Sequence, residues 1–401
     1  MLMYLQERIS GRFDLAMKNW KLRWAVVVLF APAFFIALSA SAQSSSPADA
    51  IALEQQGKFA EAAEIWRAVI QQNPRDAGAF ASLGVVLSKE QKYGEAASAY
   101  ERAIALNPLL SGVQLNLGLA EFKQGHFQEA IAPLRAASAA DPHNLQAVTL
   151  LGLNYYGAKH FAEAAKYLAV AAKADPANAE LHQVLAQSCL WAKKYSCALD
   201  EFHQILLQNP DSASAHMLSG EALDGLERTP EAIAEFHTAE KVSPHEPNLH
   251  FGLGYLYWKS HQYDEAKSEF ESELAIDPSQ PQALTYLGDI EMKRSNLDEA
   301  LSLLKKAVQT KDDIRLAYVD LGAVLMQQKQ YSEAVAALRR AVELDPAQPD
   351  AHYRLGRAYQ AMGKAAESQK EFAEVRALHE KANNNEPLAS KMPDSPPPLP
   401  Q

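Results

Sequence analysis

The chain alternates apolar and polar positions with helical spacing, and the whole pattern returns every 34 residues. Small apolar residues mark the beat: Ala62, Ala96, Ala130, Ala164, Ala198, Ala232, Ala266, Ala300 and Ala334 keep one register without a slip. Four residues after each comes a large apolar side chain: Trp66, Tyr100, Leu134, Leu168, Phe202, Phe236, Phe270, Leu304 and Leu338, with Phe372 in a last unit that carries Ser368 in place of the alanine. Spacing of i and i+4 puts both residues on one face of a helix. Twelve residues before the alanines stand Gly84, Gly118, Gly152, Gly220, Gly254, Gly288, Gly322 and Gly356, with Ala50 and Ala186 in the two other units. Glycine inside a helix costs about 1 kcal/mol relative to alanine, so its recurrence implies two helices that approach closely there.

Prolines at 74, 108, 142, 176, 210, 244, 278 and 346 fall where the second helix of each unit must stop, because proline has no N–H and clashes with the preceding turn. Each unit therefore reads as helix, short turn, helix and break. Repeat six departs from its neighbours with Ser219 at a leucine position and Pro230 at the turn, which predicts a locally altered hairpin.

A 34-residue helix–turn–helix unit with these glycine, alanine, aromatic and proline places resembles the tetratricopeptide repeat family, and the resemblance spans residues 43–382 as ten units without insertion. It implies an all-α fold: a right-handed superhelical solenoid of antiparallel helix pairs, completing more than one turn, whose concave face is lined by the first helix of each unit. One hairpin cannot bury its apolar stripe alone, whereas a stack shares one core between neighbours. The polar final helix of repeat ten suits an end cap.

The ends read differently. Trp24 to Leu38 is an uncharged apolar run behind Lys18, Lys21 and Arg23, followed by Ala40-Ser41-Ala42. Residues 1–42 are read as a secretory signal peptide, with Met17 as an alternative start and cleavage before Gln43; an uncleaved membrane anchor is the other reading. Export to a periplasmic or secreted location follows. Residues 383–401, ending in Ser-Pro-Pro-Pro-Leu-Pro-Gln, are read as a disordered, Pro-rich tail.

Charge narrows the partners. The net charge is −11 over 401 residues, and since the first 42 carry a balance of +3, the remainder holds −14. Such a surface repels nucleic acid and anionic lipid, so the expected partner is a protein or peptide, with no membrane contact beyond the signal segment.

Motifs for chemistry are missing. The twelve histidines are scattered and form no H-E-x-x-H pair. Gly252-Leu-Gly254 lacks the third glycine and preceding strand of a dinucleotide site. No P-loop or G-x-S-x-G occurs, so no catalytic residue, cofactor or metal is assigned and the chain is read as not an enzyme. Carboxylates are read as solvated helix surface. Cys189 and Cys197 sit on either side of one hairpin turn; a disulfide suits an exported protein, and two independent thiols are the alternative.

The family's groove positions here carry apolar and aromatic residues. Phe122, Tyr156, Trp191, Phe251, Tyr255, Trp258, Met292 and Met326 are candidate peptide-binding residues, and Arg354 and Arg357 add positive charge near the C-terminal end. Sideways packing against the next repeat is the competing role. Some family members clamp a terminal carboxylate with lysine and asparagine, but the corresponding places hold Leu115, Leu119, Thr149, Leu153, Gln183 and Gln187, so that activity is not carried over. The expectation is a protein-interaction scaffold; the alternative is a substrate-recruiting or glycan-handling accessory subunit of an enzyme complex whose chemistry another chain performs.

Overall fold

A computed structural model describes residues 46–385, and the signal segment and the residues beyond 385 lie outside it. Among the described residues there are twenty α-helices and no strand. The chain divides at Ala232 into two compact units.

In the first unit the pairs are α1 (Pro47–Gln55) with α2 (Phe59–Gln72), α3 (Ala77–Lys89) with α4 (Tyr93–Leu106), α5 (Val113–Gln124) with α6 (Phe127–Ala140), α7 (Leu145–Gly157) with α8 (Phe161–Ala174), and α9 (Ala179–Trp191) with α10 (Tyr195–Gln208). Then come α11 (Ala213–Gly225) and α12 (Thr229–Val242), which carries the division between the units. The second unit continues with α13 (Leu249–Lys259) and α14 (Tyr263–Ile276), α15 (Pro281–Lys293) and α16 (Leu297–Thr310), α17 (Arg315–Gln327) and α18 (Tyr331–Leu344), and α19 (Pro349–Ala361) and α20 (Ala365–Asn385). The last helix runs three residues into the stretch read as tail.

Local signals place the helix ends. Several first helices start on a side-chain cap: Asp76, Asn144, Asn178 and Ser212 accept from the backbone N–H three residues on. The first helix of most pairs ends in a residue at positive φ, which is Gly57, Gly125 and Gly363 in three repeats but Lys159, Lys193 and Lys329 in others. Pro230 is accommodated as the second residue of α12, in the first turn, where an N–H is dispensable. Ser219 is the true irregularity of repeat six: it is buried and its hydroxyl has no partner among the described residues.

The recurrent glycines and large residues meet inside the hairpins, and the large residue also packs on the hairpin that follows, as Phe270 does on Tyr286. A Cβ on Gly152 would lie 2.8 Å from Leu168 Cγ, and one on Gly254 would lie 2.7 Å from Phe270. The absent side chain on the first helix is thus the space that the second helix fills. Leu134, Leu168, Phe270, Leu304 and Leu338 are fully buried, each worth about 1.5–3 kcal/mol.

Histidine supplies a second, polar fastening. His182, His250 and His352 present Nδ1 to Glu201, Glu269 and Glu371 at 2.5, 2.7 and 2.7 Å, and Nε2 to the carbonyls of Pro176, Pro244 and Pro346 at 3.1, 3.1 and 3.3 Å. His216 holds the Pro210 carbonyl in the same way at 3.0 Å. These four histidines share one place in the 34-residue register, which corrects the reading of histidines as scattered. They tie the proline turn to the hairpin that follows it.

Within each unit consecutive first helices touch directly, as α13 does α15, α15 does α17, and α17 does α19. Within a unit their outward positions therefore form a continuous ribbon of side chains.

Candidate functional site

The ribbon is ordered by the repeat. In the second unit Tyr255, Asp289, Ala323 and Arg357 occupy one place on successive first helices, and Tyr286, Asp320 and Arg354 occupy another three residues earlier. Stacking of the repeats turns each set into a column of neighbours. The columns run from aromatic to acidic to basic.

The aromatic step consists of Tyr255, Trp258 and Tyr286, all half-buried. Trp258 meets Tyr286 edge-on at 4.9 Å and stacks against Tyr255 at 6.2 Å, while Tyr255 and Tyr286 lie 5.7 Å apart. Trp258 Nε1 donates to Asp289 Oδ2 at 2.6 Å, and Lys293 Nζ pairs with the same carboxylate while lying 5.4 Å from the Trp258 ring centre. That position combines an ion pair with a cation–π contact.

Asp320 is 5% exposed, and its Oδ2 has no hydrogen-bond partner among the described residues. Burial pushes its carboxyl up to about 7, helped by the charge of Asp289 and opposed by Arg354, Lys293 and Arg315. The Tyr286 hydroxyl is driven above its ordinary range by burial, then by Tyr255, Asp320 and Asp289, which places these groups in one electrostatic neighbourhood. Glu291 and Glu273 are equally buried but fully engaged. Glu291 accepts from Lys267 at 2.7 Å and Asn296 at 2.6 Å, and Glu273 accepts the backbone N–H groups of Asn248 and Phe251. Those two hold the fold; Asp320 is left open.

Several residues read as groove contacts are core. Phe251 is 2% exposed, with its ring between Phe270 at 6.0 Å and Tyr286 at 6.1 Å. Phe122 and Tyr156 in the first unit are also buried. Tyr156 donates to Gln187 at 2.7 Å and stacks on Trp191 at 5.5 Å, with Phe161 against the same indole at 4.8 Å. Tyr156 and Phe251 reach side chains of the adjoining first helix, Gln187 and Tyr286, while Phe122 packs on Phe127 of its own hairpin. Trp191 stays half-buried. Met292 and Met326 pack against the core around Leu304, Leu321 and Val324, leaving part of each side chain exposed. Arg354 is half-buried, and Arg357 is exposed with Nη1 donating to the Tyr353 hydroxyl at 3.4 Å.

Cys189 and Cys197 form a disulfide between α9 and α10, with Cα atoms 5.8 Å apart. Among the described residues, no group of three or more His, Cys, Asp or Glu could hold a metal ion, and no helix is long and apolar enough to cross a membrane.

The residues missed from sequence are the buried acids. Carboxylates are expected to be solvated, yet Glu221, Asp289 and Asp320 are buried; Glu221 and Asp289 share the register place of Tyr255, and Asp320 that of Arg354. Reading the register by column would have found them. Glu221, on α11, is also pushed up to about 7 by burial, and one of its oxygens is unpartnered among the described residues.

Tetratricopeptide repeat family models match residues 48–111, 115–179 and 251–314, others described in the same words match 155–222 and 350–382, and a TPR repeat model matches 322–363. Comparison with curated proteins gives no match. Among solved structures, the crystal structure of the APC/C hetero-tetramer Cut9-Hcn1 is 14% identical over 85% of this chain and 81% of that one, with a TM-score of 0.50. Yeast Tom70 is 14% identical over 82% and 91%, with a TM-score of 0.41. YrrB, described as a TPR protein with an unusual peptide-binding site, is 22% identical over 45% and 93%, with a TM-score of 0.39. With the 34-residue register, the paired helices and the matched repeats in agreement, the chain belongs to the tetratricopeptide repeat family.

Proposed function

We propose that this protein is a non-enzymatic interaction scaffold that holds a peptide or protein segment against the first-helix ribbon, outside the cytoplasm. The observation that carries the reading is the half-buried aromatic step of Tyr255, Trp258 and Tyr286, set beside the Asp289 carboxylate. Aromatic side chains with one polar edge are effective anchors for a bound chain. The charge of −14 beyond residue 42 favours a polypeptide over nucleic acid. Export is supported by the apolar run Trp24–Leu38 and by the Cys189–Cys197 bond, since such bonds persist in oxidising compartments.

The test is affinity capture from cell-envelope extract with the full chain, beside a Tyr255→Ser/Trp258→Ser variant that keeps Phe251 in the core. A partner retained by the parent and lost by the helical variant supports the reading, and equal recovery by both counts against the ribbon. Fractionation with mass measurement of the mature N-terminus tests the location; a cytoplasmic chain that keeps residues 1–42 would overturn it.

A further inference from the structure

We infer that the segment bound by this ribbon presents a basic side chain, lysine or arginine, to Asp320 at the step between α15 and α17. The inference rests on the scaffold reading and specifies the chemistry of its occupant.

Three observations converge. Asp320 is buried with one carboxylate oxygen unpartnered, whereas Asp289, Glu291 and Glu273, the other buried acids of the second unit, each accept from a donor. A buried acceptor without a donor is a standing cost that a ligand's N–H groups remove. Next, the protein itself shows how an ammonium group is received here. One repeat earlier, Lys293 Nζ pairs with Asp289 beside the Trp258 ring.

The third observation is that repeat nine lacks that lysine. The place of Lys293 is taken by Gln327 and that of Asp289 by Ala323, a small residue one turn from Asp320. Repeat nine therefore carries its carboxylate three residues earlier, at the Tyr286 place, and has neither a lysine at the Lys293 place nor a large side chain at the Asp289 place. Arg354, on the next first helix α19, makes no hydrogen bond or ion pair with Asp320 among the described residues. Asp289 acts on Asp320 as a like charge, which a cation held by Asp320 offsets.

The experiment is selection of a random peptide library on the full chain, followed by affinity measurement of individual synthetic peptides at two salt concentrations. The expected result is enrichment of Lys or Arg at one position. Exchange of that residue for norleucine or citrulline should weaken binding by about ten-fold or more. Asp320→Asn, confirmed folded by its thermal melt, should bind charged and uncharged peptides alike, with a smaller salt dependence. Selected peptides without a basic position, tolerance of norleucine, or a lysine preference that survives Asp320→Asn would each overturn the inference. If such peptides still weaken with Tyr255→Ser/Trp258→Ser, the scaffold reading stands and only the basic residue falls. If neither variant affects them, both fail.

Discussion

A Cβ atom on Gly118 would lie 2.3 Å from Cγ of Leu134, sixteen residues further along the same hairpin. The leucine occupies the space that any other residue on α5 would claim, and it is fully buried in doing so. Gly118→Ala is expected to destabilise the chain by about 1–3 kcal/mol despite alanine's better helix propensity. Gly94→Ala is the contrasting case, since the nearest atom is the flexible Gln124 Oε1 at 3.2 Å. Thermal melts of the two variants should move in opposite directions, and a shared sign would refute the packing role.

The His250–Glu269 pair lends itself to a double-mutant cycle. One repeat later the same two places are Leu284 and Leu303, which pack in one apolar cluster. His250→Leu alone strands Glu269 and is expected to cost about 1–3 kcal/mol; the double change to leucine should recover most of it. Additive losses in urea unfolding would show that the pair is not coupled.

Reduction of Cys189–Cys197 should loosen one hairpin and little else. The bond closes a short loop, with a sequence separation of 8, for which chain entropy gives about 2–3 kcal/mol. Hydrogen exchange should rise in α9 and α10 on reduction while the second unit stays unchanged. Uniform acceleration along the chain would contradict a local staple.

Asp320 sets a pH dependence. Its folded pKa near 7 stands above the ordinary carboxylate value, so the folded chain binds more protons than the unfolded one between about pH 4 and 7. The contribution of this group to stability is complete below that window and is lost as pH rises through it. Asp320→Asn should therefore match the parent near pH 4.5 and melt at a higher temperature at pH 8. An asparagine variant that is less stable at pH 8 would mean that the ionised carboxylate has a donor in the folded chain.

The architecture was legible in the sequence because each repeat packs on the next through the same few contacts. The periodic places of Gly118 and Leu134, or of Gly322 and Leu338, are recognisable from spacing alone, while their contact across the hairpin is seen only in the structure. The helix pairs and the stops at proline follow from local chemistry. The histidine fastening is equally periodic, and its signal lies in the 34-residue register rather than in a metal motif.

What the sequence by itself determined is thus the repeat, its two helices and the residues buried between them, all set by interactions within 34 residues. Which first-helix side chains reach solvent was decided only by the stacking of one repeat on another. Phe251 and Tyr156 disappear beneath neighbours, Trp258 keeps an exposed edge, and Asp320 is buried without a donor. Exposure depends on residues about 34 positions away, and composition at a single position carries no record of that distance.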